Sequence, residues 1–227
     1  MKKETPAAAS RRRSQWIVDE SKYLTAREVE KLRNAAEGLL VEGLGRHRYR
    51  LLRIWFMTEL GLNTGMRVAE MASMDHASLL LEGGRSTALV LGKGGKIRSI
   101  WINSSFKALC RRYSRLKARF GYSVAEDSPL LTNQHGERIS RRALQKDFKE
   151  ILSIAGLSSR YYIHCLRHTY TTHLLKASRY NYRFVQRQLG HASIKTTQIY
   201  AGVVESDGRR AVEALYGERP SARDIGH

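Results

Sequence analysis

Thr87-Ala88-Leu89-Val90-Leu91, Gly92-Lys93-Gly94-Gly95-Lys96 and Ile97-Arg98-Ser99-Ile100-Trp101-Ile102 are consecutive segments. Two short β-rich runs flank a glycine-rich turn, which predicts a β-hairpin. A further run near Leu79 to Leu81 adds a preceding strand, making a small three-stranded antiparallel sheet. Outward from it the periodicity is helical. Thr25 and Glu28 have the spacing of a capping box, and Val29, Leu32, Ala36 and Leu39 share the face of the helix that follows. A second apolar helix is expected over about Tyr49 to Leu60, interrupted by Gly61 to Gly65, with a short helix from Met66 to about Met74. Later helices are expected at about Ser104 to Phe120, Ser140 to Ala155, Cys165 to Ala177, Tyr182 to Leu189, Ile194 to Tyr200 and Asp207 to Tyr216. The expected class is α+β, mainly α: a helical bundle carrying a small sheet, without internal repeats.

The 227 residues suffice for one large domain with tails. The organisation expected is a flexible basic arm over 1–22, one domain over 23–218 that includes a last helix at about 207–216, and a tail over 219–227. Forty Lys and Arg against 21 Asp and Glu give a formal charge of +19, which favours a polyanionic partner: nucleic acid, ribosomal RNA or an anionic membrane surface. Cys110 and Cys165 are too few for a disulfide framework and lack C-x-x-C spacing, which fits a reducing cytoplasm. No apolar run approaches the roughly 20 residues needed to span a bilayer, and no membrane partner is expected.

From Ile151 through Val204 there is no Asp or Glu, where the chain's average would place about five. The same window holds Arg160, Arg167, Lys176, Arg179, Arg183, Arg187 and Lys195. A solvated helix face mixes signs, so this stretch reads as a surface held against phosphates, with Arg160, Arg179, Arg183, Arg187 and Lys195 as candidate DNA contacts. It also disfavours a carboxylate-held metal, leaving fixed cations to stabilise a phosphoryl group. Arginine suits that task because its planar fork donates two hydrogen bonds and keeps its charge. Arg67 and Arg167 are the candidates. His164 and His168 stand at i,i+4, but the H-E-x-x-H base is missing and no metal is expected. The glycine-rich turn lacks the spacing of a P-loop and precedes a strand.

Three further segments stand out: Asn63-Thr64-Gly65-Met66-Arg67-Val68-Ala69-Glu70, His164-Cys165-Leu166-Arg167-His168-Thr169, and Leu189-Gly190-His191 with Tyr200 nine residues on. With the hairpin lysine they resemble, in order, the catalytic pattern of the tyrosine recombinase (phage integrase) family: an Arg after a T-G-x turn, a Lys in a β-hairpin, an H-x-x-R pair, an L-G-H and a tyrosine nucleophile. The resemblance covers about Leu24 to Tyr216. It implies that Tyr200 attacks a DNA phosphate to leave a 3′-phosphotyrosine and a free 5′-hydroxyl, with Arg67 and Arg167 on the phosphate. Lys93, with Lys96 as the alternative, would protonate the leaving oxygen. His164 and His191 would bond the phosphate or manage the nucleophile's proton, and Glu70 would brace the site. No cofactor is implied, because the bond energy is conserved.

The resemblance further implies double-stranded DNA as partner, a homotetramer on synapsed DNA through the C-terminal helix and a Holliday junction in the reaction, in a bacterial, phage or plasmid setting at the nucleoid. An accessory DNA-binding protein is a further expectation. Family members usually carry an N-terminal helical domain, so the chain reads as a small stand-alone recombinase or a catalytic fragment. The arm is either solvated or laid along phosphates; the last helix, with Val212, Leu215 and Tyr216 on one face, docks on its own core or on a neighbour. Two other functions fit the same residues: a DNA-binding regulator that no longer cuts, and a type IB topoisomerase-like relaxing enzyme.

Overall fold

The computed structural model describes residues 22–83, 86–92, 95 and 97–190. Among these residues the helices are α1 (Ala26–Gly45), α2 (Tyr49–Thr64), α3 (Val68–Ser73), α4 (Ser104–Arg119), α5 (Arg141–Ile154), α6 (His164–Ala177) and α7 (Tyr182–Leu189), and the strands β1 (Leu79–Leu80), β2 (Thr87–Leu91) and β3 (Ile97–Trp101) fall between α3 and α4. The expected α+β class, mainly helical with a three-stranded antiparallel sheet, is what forms. The basic arm and the helices expected at 194–200 and 207–216 lie outside the described residues.

The capping box forms as read: the Glu28 N–H donates to Thr25 Oγ1, and the Thr25 N–H donates to Glu28 Oε2. Such a cap contributes about 1 kcal/mol. α2 differs from expectation. It continues through Gly61 to Thr64 and ends at Gly65, whose φ of 61° takes the left-handed conformation that glycine adopts without a Cβ penalty. Gly61 stays inside because it faces α6: a Cβ there would stand 2.6 Å from Leu166 Cδ1, so its absence permits close helix packing. A lone glycine read from sequence marks a break; here it marks an approach.

α2 is the axis of the domain. Every residue in it except Arg50 and Asn63 is buried, and it packs against α1, α4, α5 and α6. Its polar groups therefore find partners in the interior. Arg53 donates to Asp147 Oδ2 through Nε and Nη2 (3.1 and 2.8 Å) and to the Thr132 carbonyl (2.9 Å), while Arg50 holds Asp147 Oδ1. Against α4, Phe56 stacks on Tyr113 at 3.8 Å, and the Tyr113 hydroxyl donates to the Leu130 carbonyl.

The sheet runs β1-β2-β3, antiparallel throughout, with Leu79 opposite Ala88 and Leu91 opposite Ile97. Ala88, Val90 and Ile100 face the core, whereas Leu91, Ile97 and Trp101 are exposed. Past α6 the chain turns through left-handed Arg179 and Tyr180, and Leu175, Val185 and Leu189 form a small second core joining α7 to α6.

Asp147 compensates a buried guanidinium, so Asp147→Ala is expected to lower unfolding free energy by about 3–5 kcal/mol in urea titration. Glu37→Ala, which breaks the half-exposed pair with Arg112, is expected to change it by at most about 1 kcal/mol.

Candidate phosphate-binding site

The site is built where two turns and a strand meet. The first closes α2: Thr64 Oγ1 donates to the Leu60 carbonyl, Gly65 turns the chain, and Arg67 becomes the N-cap of α3. The Arg67 N–H donates to Glu70 Oε2 at 2.8 Å and its Nη1 to Glu70 Oε1 at 3.1 Å. The arginine side chain is 45% exposed, whereas that of Glu70 is 6% exposed.

Arg167 lies on the first turns of α6 and is 2% exposed. Its Nη1 donates to the Gly65 carbonyl (2.7 Å) and its Nη2 to the Leu189 carbonyl (2.9 Å). One guanidinium thus ties the turn before Arg67 to the turn before His191, segments more than 120 residues apart in sequence. The second turn ends α7 at Gly190, with φ of 63°. Gln188 fixes that helix to the sheet edge, accepting from the Trp101 N–H (3.0 Å) and donating to Tyr170 Oη (3.1 Å).

The third segment is β3. Arg98 donates from Nη1 and Nη2 to the two oxygens of Glu70 (2.9 and 2.8 Å). Gly190 lies over its side chain: a Cβ at 190 would collide with Arg98 Cδ and stand 2.8 Å from Nε. Burial would raise the Glu70 pKa, but the Arg98 hydrogen bonds, the Arg67 N–H and the charges of Arg98 and Arg167 outweigh it and hold the carboxylate below its ordinary value.

His164 opens α6 with an exposed side. Desolvation, then the charges of Arg167 and Arg67, depress its pKa against the opposing pull of Glu70. Its ring meets His168 edge-on at 4.7 Å. His168, placed outside the site from sequence, is pushed down to about 4 by burial and then by the charges of His164, Arg167 and Lys22. A recess of about 270 Å³ beside them is lined by Lys22, Arg160, Tyr161, Tyr162, His164, Cys165 and His168. Among the described residues no three His, Cys, Asp or Glu side chains are grouped to hold a metal, and no helix is long and apolar enough to cross a membrane.

Of the residues singled out from sequence, Arg67, Glu70, His164 and Arg167 come together. Arg160, Arg179, Arg183 and Arg187 are exposed. Lys93, Lys96, His191, Lys195 and Tyr200 lie outside the described residues. Sequence reasoning missed Arg98 and Gln188. Arg98 carried a signal: it shares the inward face of β3 with Ile100, and a charge on that face needs a buried partner.

The sequence model of the phage integrase family matches residues 22–206. The chain belongs to the phage integrase family. Tyrosine recombinase XerC of Escherichia coli is 38% identical to it over 144 residues, which is 63% of this chain and 46% of XerC. The XerH site-specific recombinase, solved on its palindromic difH substrate as a post-cleavage complex, superposes with a TM-score of 0.67 at 27% identity, covering 85% of this chain and 53% of XerH. XerA recombinase has the same fold, with a TM-score of 0.67 at 23% identity over 87% of this chain and 66% of XerA. The chain thus spans about half the length of XerC and XerH, and its described residues contain the fold on which integrase-family sites are built.

His76 and His168 are both pushed down to about 4, chiefly by burial. In the unfolded chain they would titrate near 6.5, so between about 6.5 and 4 the unfolded state binds more protons and folding weakens as pH falls. Thermal melts are expected to show this loss, with a shallower fall below pH 6 in His168→Gln.

Proposed function

We propose that the chain is a site-specific DNA recombinase that cuts and rejoins strands through a 3′-phosphotyrosine at Tyr200, without metal or nucleotide. The observation that carries this reading is that Arg67, Arg167 and His164 lie within one another's electrostatic field, beside the single carboxylate of Glu70 that holds Arg67. Arg67 is half-exposed and oriented, while Arg167 is buried and fixed by two carbonyls. Cations arranged in this way before any substrate arrives are preorganised to stabilise charge developing on a phosphoryl group.

In the proposed reaction the Tyr200 oxygen attacks the scissile phosphorus and loses its proton, with His164 and His191 managing that proton or bonding the phosphate. Arg67 and Arg167 neutralise the non-bridging oxygens. The P–O5′ bond breaks, and Lys93, or Lys96 in its place, supplies a proton to the departing 5′-oxygen. A 5′-hydroxyl from another strand then reverses the step, displacing the tyrosine. A phenol with an ordinary pKa of about 10 is almost wholly protonated at neutral pH, so in this reading Arg67 and Arg167 have the further task of favouring its ionised form.

Double-stranded DNA is the proposed partner, supported by the net charge of +19 and by the relatives solved on DNA, including a lambda integrase dimer on a COC' core site. Arg183 and Arg187, one turn apart on the exposed side of α7, are proposed to contact the backbone together with Arg160, Arg179 and Lys195. The proposed assembly is a homotetramer on synapsed DNA through the helix at about 207–216, within a catalytic domain over 23–218 flanked by a basic arm and a short tail. An accessory DNA-binding protein and a nucleoid setting in a bacterial cytoplasm complete the proposal.

A nicked suicide substrate tests it. Cleavage should leave a covalent protein–DNA adduct on a denaturing gel; Tyr200→Phe should abolish it, and Arg167→Ala should reduce its rate by about 10²–10³-fold. Adduct undiminished in the Phe variant would refute the choice of nucleophile. Absence of adduct in the native chain would leave a DNA-binding regulator, and adduct without exchange between two duplexes would point to a relaxing enzyme.

A further inference from the structure

Among the described residues Glu70 is the only carboxylate that Arg67 contacts, and it is fully used. Each oxygen accepts two donors: Oε1 from Arg67 Nη1 (3.1 Å) and Arg98 Nη1 (2.9 Å), Oε2 from the Arg67 N–H (2.8 Å) and Arg98 Nη2 (2.8 Å). A carboxylate has about four lone-pair positions, and two guanidinium groups share them unequally. Arg98 holds both oxygens in the two-pronged geometry that is strongest for this pair. Arg67 is left a single guanidinium bond, and among the described residues its Nε and Nη2 have no acceptor.

We infer that Arg98 is a positioning residue that keeps Arg67 available to the scissile phosphate by occupying both oxygens of Glu70. The inference rests on the recombinase reading proposed above. Its physical basis is competition. A buried carboxylate stripped of two of its four donors is strongly penalised. The nearest remaining guanidinium belongs to Arg67, three residues away on the same turn. Without Arg98, Arg67 would close onto Glu70 with two donors, losing the edge and much of the charge it would otherwise turn to DNA.

Three features fit Arg98 to this task and exclude it from touching the phosphate itself. Its side chain is 13% exposed, against 45% for Arg67. Its Nε is buried and finds no hydrogen-bond partner among the described residues, and Gly190 covers it, a Cβ there colliding with Arg98 Cδ and falling 2.8 Å from Nε. Arg98 also belongs to the strand that leaves the hairpin turn bearing Lys93, with Leu91 and Ile97 as the last cross-strand pair. The same ion pair that restrains Glu70 therefore ties that hairpin to the cap of α3. Lysine would be a poorer substitute, since its three donors radiate from one nitrogen and do not reproduce the planar fork that matches the two carboxylate oxygens.

The test is single-turnover cleavage of the nicked substrate by the full chain, with DNA affinity and thermal stability measured alongside. Arg98→Met should bind DNA with unchanged affinity and form adduct about 10²-fold more slowly. Arg98→Lys, which retains the charge, should fall between it and the native chain. The distinguishing variant is Arg98→Met with Glu70→Gln. A neutral amide offers Arg67 one oxygen and no charge and so holds it far less strongly, and the double variant should regain about tenfold in rate over Arg98→Met, about 1.4 kcal/mol. If the double variant is as slow as the single one, or if the rates of all three follow their melting temperatures, Arg98 is structural and the inference fails. Should Arg98→Met not fold, native-rate cleavage by Arg98→Lys would overturn it equally. A native chain that forms no adduct would overturn the recombinase reading and this inference with it, whereas adduct at equal rates in native and Arg98 variants would overturn this inference alone.

Discussion

The arrangement of the site depends on one buried guanidinium. Arg167 sits where α6 passes between the end of α2 and the end of α7, and it satisfies the carbonyls that both of those helices leave unpaired near their C-termini. Helix C-termini carry partial negative charge, so a cation between two of them is favoured electrostatically as well as by hydrogen bonding. The consequence is geometric. The backbone at Gly65, two residues before Arg67, and the backbone at Leu189 are held in register by a single side chain.

That arrangement explains why two of the turns require glycine. At Gly65 the φ is positive, and a Cβ would collide with Tyr170 and stand 3.0 Å from Leu189 Cδ2. At Gly190 the φ is positive, and the space is filled by Arg98. Each glycine is constrained twice, by backbone conformation and by a neighbour pressed against it. The neighbours belong to the same network: Tyr170 bonds Gln188, which holds the edge of β3, which carries Arg98. Packing and charge are therefore not separable here, and a disturbance at either turn or at β3 reaches the others through atoms in contact.

Much of this was legible in sequence because it is local. The capping box at Thr25 and Glu28, the hairpin over Thr87 to Ile102 and the ends of α4, α5 and α7 follow from spacings of a few residues, and each falls within a residue or two of its expected place. What could not be read depends on what faces what. Gly61 looks like a helix breaker until Leu166 is known to lie against it. Arg98 looks like one of forty basic residues until the sheet turns it inward onto Glu70. Gln188 gives no sign that it will bridge to the backbone of Trp101, 87 residues earlier. The ordered motif brought Arg67, Glu70, His164 and Arg167 to notice without knowledge of any of these contacts, because a pattern of residue types survives where the contacts that enforce it leave no short-range trace.

The acid-free stretch from Ile151 to Val204 has a similar limit. It is acid-free along the chain but not in space: Glu28 accepts from the Tyr161 hydroxyl at 3.0 Å, and Glu70 lies within the field of Arg167 and His164. The acids supplied from elsewhere are few and fully engaged. Around Glu70 there are three guanidinium groups, of Arg67, Arg98 and Arg167, for one carboxylate, an excess of positive charge in a partly desolvated place where like charges repel more strongly than in water. Burial first, and then the charges of Arg167 and Arg67, depress the pKa of His164, so the same excess also disfavours adding a further cation there. A fold that maintains such an imbalance is complementary to an anion entering from outside, and a phosphodiester supplies that negative charge without the dehydration cost of a more highly charged ion.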